Sequence, residues 1–128
     1  NFASCLLKAK NAELYCIAGK TKEKLKKFQE KFKLDNENLY FEYEELLKNP
    51  NVEAVYIALT NNLHHEWINK SAIYKKHIMV EKPVCTDVNE LKKIEHASDN
   101  NDELKLTNFQ IVLINTDFKT NFKIFQDF

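Results

Sequence analysis

The chain contains no arginine; all nineteen of its basic residues are lysines. Together with abundant asparagine, this points to a coding bias toward A and T, which spreads Lys and Asn wherever they are tolerated. One lysine therefore carries little functional weight by itself. Glycine occurs once, at Gly19. Gly19-Lys20-Thr21 imitates the end of a phosphate-cradling loop, but that loop needs a glycine five positions before its Gly-Lys pair. Leu14 stands there, so a P-loop is excluded. His64-His65-Glu66 is not an HExxH zinc motif, because Asn69 takes the place of the second His, and no metal site is expected. The three cysteines, Cys5, Cys16 and Cys85, are odd in number, far apart and free of any CxxC pair. Reduced thiols in a cytoplasmic compartment are the expectation. No apolar run approaches the ~18 residues of a membrane span, and no signal-peptide pattern opens the chain. Neither charge is in excess, since nineteen acids balance nineteen bases. That removes the basic field which would draw nucleic acid or an anionic membrane. Glu23 and Glu30 also interrupt the lysines of residues 20–33, which argues further against a nucleic-acid partner.

What is present suits one small α/β domain: 128 residues, 44% of them apolar. Phe2, Cys5, Leu6 and Ala9 share a helical face, and residues 14–18 read as a short buried strand. Thr21 is placed to cap a helix that carries Leu25, Phe28 and Phe32 at helical spacing. A short strand is expected at 39–41 and a brief helix at 43–48, stopped by Asn49-Pro50-Asn51. Residues 52–59 show no alternation, which fits a strand buried on both faces of a parallel sheet. A helix over about 64–76 is expected to bury Trp67, Ile68, Ala72 and Ile73, and His77-Ile78-Met79-Val80 forms the next strand. Asp87 then caps a helix holding Val88, Leu91, Ile94 and Ala97. Asn100-Asn101-Asp102 reads as a break, 104–114 as strand-like, and Phe118, Phe122 and Phe125 as helically spaced. No internal repeat is visible. Alternating helices and strands predict a parallel sheet.

The chemistry concentrates where two apolar runs end. The run 55–59 leads into Thr60-Asn61-Asn62-Leu63-His64, and the run 77–80 into Glu81-Lys82-Pro83. Two strands joined by one helix make a βαβ unit, so both polar clusters fall at carboxyl ends of parallel strands. Ligands bind along that edge in open α/β sheets. A lysine there can donate to a substrate oxygen or pass a proton. Gly19-Lys20 ends an earlier strand, where a cation meets a 2′-phosphate and an acid would bind a free 2′-OH. No acid follows Lys20 directly, which favours NADP over NAD.

These stretches resemble the amino-terminal domain of the glucose-fructose oxidoreductase / inositol dehydrogenase / rhizopine catabolism family, which includes dihydrodiol dehydrogenases. The likeness runs through Glu53-Ala54-Val55-Tyr56-Ile57-Ala58, Asn61…His64 and Lys76-His77-Ile78…Glu81-Lys82-Pro83. Tyr43-Glu44-Glu45-Leu46-Leu47 matches as well, and about residues 12–98 are covered by the pattern. Thr60 and Lys75 stand where the family usually has proline and glycine. The resemblance implies a Rossmann-like doubly wound parallel sheet that binds NADP or NAD, with a small-molecule substrate such as a sugar, cyclitol or diol. It makes Lys82 catalytic, Glu81 a neighbour of the nicotinamide, and Pro83 the residue after a cis bond. It also makes Gly19, Lys20, Thr21, Leu59, Thr60, Asn61 and His64 cofactor-binding.

The family's first strand and its glycine-rich loop are missing, as is its second domain. Residues 1–103 are thus read as a partial NAD(P)-binding domain, with 104–128 leading toward the substrate domain. The strand missing from the sheet centre is expected to leave two apolar edges open to aggregation. The chain alone is expected to be inactive, and a homo-oligomer is compatible with the full-length protein. A non-catalytic interaction or regulatory domain on the same fold is the rival reading.

Overall fold

The computed structural model describes residues 2–10, 12–99 and 109–115. The elements run α1 (Phe2–Leu6), β1 (Ala12–Ala18), α2 (Lys22–Phe32), β2 (Leu39–Tyr40), α3 (Tyr43–Lys48), β3 (Ala54–Ala58), α4 (Asn61–Ile73), β4 (His77–Val80), α5 (Val88–Asp99) and β5 (Phe109–Asn115). The expected break at 100–102 and the phenylalanines beyond 115 lie outside the described residues.

Five strands form one sheet in the order β2-β1-β5-β3-β4, and every pairing is parallel. In β3, Ala54 and Tyr56 face one hydrophobic cluster while Val55 and Ile57 face another. Leu25, Phe28 and Phe32 of α2 cover the first cluster with Ala3 and Leu6 of α1. The second is covered by Leu46 and Leu47 of α3 and Ile68 of α4. Helices on both faces explain the lack of alternation in β3, since neither face meets water. The sheet is thus doubly wound, as the family resemblance implied.

The slot between β1 and β3 corrects one expectation. Rossmann order gives that place to the first strand. Here β5 fills it, pairing Ala12–Ala18 on one side and Ala54–Ala58 on the other. The two central strands therefore have no open edge facing one another. Residues 109–115 belong to this sheet rather than leading away from it.

Helix α4 also differs from expectation. It starts at Asn61, with extended Thr60 as N-cap (φ −67°, ψ 146°) and Leu63 N–H donating to Thr60 O at 2.9 Å. Its buried stripe is His64, Ile68, Ser71 and Ala72. Ile73 lies one residue beyond that stripe and is 76% exposed. Val88 and Leu91 of α5 are exposed too, whereas Ile94 meets the core. The Asp87 cap is formed as expected: Asp87 Oδ1 accepts from the N–H groups of Asn89 (2.7 Å) and Glu90 (3.0 Å).

Candidate functional site

Because all five strands are parallel, their carboxyl ends line one edge of the sheet. That edge carries Gly19-Lys20-Thr21 after β1, Leu59-Thr60-Asn61 after β3, and Glu81-Lys82 after β4. β3 and β4 are direct neighbours, so Thr60-Asn61 and Glu81-Lys82 are adjacent. Gly19 lies three interstrand steps from the end of β4, roughly 14 Å at ordinary strand spacing. A dinucleotide crevice in this fold class opens at this kind of edge, where strand order reverses.

Each end has its own supports. Glu81 N–H donates to Ile57 O at 2.9 Å, holding the start of the Glu81-Lys82-Pro83 turn against β3. The Tyr56 hydroxyl donates to the Glu81 carboxylate. Tyr56 is buried and stacked on Phe2, and burial together with that carboxylate raises the phenol above its usual range. Tyr56 thus stays a neutral donor that fixes Glu81. One signal of it is visible in the sequence, a hydroxyl inside an otherwise apolar buried strand, which needs a partner. Lys82 is exposed, and the Lys82–Pro83 peptide is cis.

His64, expected to bind the cofactor, sits behind the edge instead of on its surface. It is fully buried, with Nδ1 2.7 Å from Pro83 O and Nε2 3.0 Å from Leu59 O. The ring ties the end of β3 to the turn after β4. Leu59 is buried as well, while Thr60 and Asn61 are exposed.

At the other end, Gly19 N–H donates to Tyr40 O at 3.0 Å, which joins the tips of β1 and β2. Lys20 Nζ lies 2.5 Å from Glu42 Oε2 and 5.2 Å from the centre of the Tyr43 ring. The sequence showed no acid after Lys20. The fold supplies one from twenty-two positions away, at the tip of the neighbouring strand. Thr21 is the N-cap of α2 through its backbone, and its hydroxyl makes no capping bond.

At the amino edge of the sheet, opposite these residues, lies a buried cation. Lys76 Nζ donates to Asn49 O (2.8 Å) and Val52 O (2.7 Å), pinning the loop that enters β3. Burial lowers its pKa. The same amino edge holds an open cavity of roughly 500 Å³ beside Leu6, Leu14, Phe32 and Leu34. It lies at the amino end of β1, away from the residues of the carboxyl edge. Among the described residues no group of His, Cys, Asp and Glu could hold a metal, and no helix is long and apolar enough to cross a membrane.

A doubly wound parallel sheet with this polar carboxyl edge defines a dinucleotide-binding α/β protein. Residues 1–109 match the family described as "Oxidoreductase family, NAD-binding Rossmann fold", the glucose-fructose oxidoreductase / inositol dehydrogenase / rhizopine catabolism family, and the chain belongs to it. An uncharacterised oxidoreductase of Rhizobium meliloti is 34% identical over 94 residues, 73% of this chain and 28% of its own length. Myo-inositol 2-dehydrogenase of Thermotoga maritima is 31% identical over 113 residues, 88% of this chain and 32% of its own length. Among solved structures, a probable dehydrogenase from Thermotoga maritima superposes with a TM-score of 0.73 at 27% identity. That match covers 88% of this chain and 31% of the other. A 3-ketoreductase from Actinomadura kijaniata, solved with NADP and TDP-benzene, gives 0.70 at 28% identity, covering 77% and 30%. The chain thus spans about a third of the length of these relatives.

Proposed function

We propose that this chain is the cofactor-binding part of a longer NAD(P)-dependent oxidoreductase. The reaction is hydride transfer between nicotinamide and a secondary alcohol or ketone of a sugar, cyclitol or diol. The reading is carried by one observation: Glu81-Lys82 and Thr60-Asn61 end two adjacent parallel strands, on the edge where this fold class binds dinucleotides. The donor set suits the two ends of such a cofactor. Lys20 and Glu42 offer a cation and a carboxylate to the adenosine ribose, and Glu81 and Lys82 offer polar groups to the nicotinamide end. A bound nicotinamide would supply or accept the hydride. Lys82 would hold the reacting oxygen of the substrate and stabilise negative charge that develops on it. Tyr56 would keep Glu81 in place by its hydrogen bond.

The test is cofactor oxidation by the full-length protein with a panel of keto sugars, inososes and hydroxy ketones. Oxidation of NADPH or NADH with at least one of these classes is expected. Binding of cofactor without turnover of any class would contradict the enzymatic reading and favour a binding module.

A further inference from the structure

We propose that Glu42 selects between NADP and NAD by competing for Lys20, so that this site accepts both cofactors. The inference rests on the cofactor reading above and extends it to a residue which sequence order keeps far from the site. Glu42 is the N-cap of α3, yet its side chain makes no capping hydrogen bond to that helix. Its carboxylate goes to Lys20 instead, at 2.5 Å. Both side chains are more than half exposed, 51% for Lys20 and 67% for Glu42, so both are accessible to a ligand. The contact is held in register by Gly19 N–H to Tyr40 O, which fixes the two strand tips side by side. Lys20 also lies over the Tyr43 ring, so it is confined between a carboxylate and an aromatic face.

The consequence is electrostatic. A 2′-phosphate needs Lys20, but must draw it away from Glu42 and then sit close to that carboxylate. A free 2′-OH can donate to the Glu42 carboxylate while the ion pair stays intact. Specificity here is a difference of two affinities, and Glu42 contributes with opposite sign to each. A lysine at the strand tip would by itself give an NADP site; the pair gives a site that discriminates weakly.

The test is calorimetric binding of adenosine 2′,5′-bisphosphate and adenosine 5′-monophosphate to the chain and to Glu42→Gln and Lys20→Met. Both substitutions fall at exposed positions, so the fold should tolerate them. The chain itself should bind the two nucleotides with affinities within about tenfold of each other, the scale that one partly neutralised surface charge leaves. Glu42→Gln should shift the ratio toward the bisphosphate by about threefold to tenfold, and Lys20→Met should shift it the other way. If both nucleotides bind and Glu42→Gln leaves their ratio unchanged, Glu42 is no selector and the cofactor reading stands. If neither nucleotide binds the chain or either variant, the cofactor reading fails and this inference with it.

Discussion

Lys75 occupies a left-handed backbone position, with φ 55°, immediately after α4 has ended at Tyr74. A side chain with a Cβ is strained there, and glycine is the usual occupant. Lys33 closes α2 in the same way, at φ 54°. The scarcity of glycine noted in the sequence thus shows up as two lysines doing a glycine's work at helix ends. Lys75→Gly should raise stability by about 0.5–1 kcal/mol, as relief of that strain outweighs the added freedom of the unfolded chain. Urea unfolding checks it: the midpoint should rise with an unchanged slope, and a lower midpoint would contradict the strain. Cys16 gives a second residue-scale expectation. It is fully buried, and burial pushes its thiol from 9.0 up to about 12, against a smaller opposing pull from Lys76. Above pH 9 the unfolded chain loses this proton while the folded chain keeps it. The contribution is therefore complete below pH 9 and declines as pH rises toward 12. The stability of the parent chain should fall with pH in that window more steeply than that of Cys16→Ala, by up to about 1.4 kcal/mol per pH unit. Parallel profiles would show that the thiol ionises alike in both states.

Among the elements, β3 and β4 were the most legible in the sequence. The run of β3 has one plain cause, burial on both faces, and the shorter run of β4, an edge strand with Met79 exposed, still matches 77–80 residue for residue. The stripe of α4 was harder to read because two of its four buried positions are polar. Ser71 hides its hydroxyl by donating to Trp67 O at 2.6 Å, and His64 uses both ring nitrogens on backbone oxygens. Polarity alone places such residues outside, so Ile73 looked like the better core residue. The same two contacts give His64 a testable role. His64→Phe keeps an aromatic ring but leaves Leu59 O and Pro83 O without this partner. It should cost about 2–4 kcal/mol, and the amides of the turn after β4 should exchange faster. A loss below about 1 kcal/mol with unchanged exchange would mean that the ring only fills space.

For the whole molecule, the sequence showed the layer order and the functional edge, but could not show which strand stands at the centre. A strand of seven residues with alternating neighbours such as Phe109, Ile111 and Leu113 reads the same at an edge or in the middle. Its place follows only from pairing with both β1 and β3. The site was legible for the same reason as the fold: Glu81-Lys82 and Thr60-Asn61 follow runs whose parallel pairing could be deduced. Glu42 and Tyr56 were not, because their partners, Lys20 and Glu81, lie twenty-two and twenty-five positions away and meet them only once the sheet has formed. The central claim concerns Lys82, the exposed lysine at the end of β4. Lys82→Met keeps the length of the side chain and removes its charge. The most direct measurement is kcat of the full-length enzyme carrying this substitution, with cofactor affinity measured alongside. The account predicts a fall of roughly 10²-fold or more in kcat, with cofactor affinity little changed, the scale of one positioned electrostatic or proton-transfer group. A variant that turns over at a rate near the parent's would contradict it and leave Lys82 as a solvated turn residue.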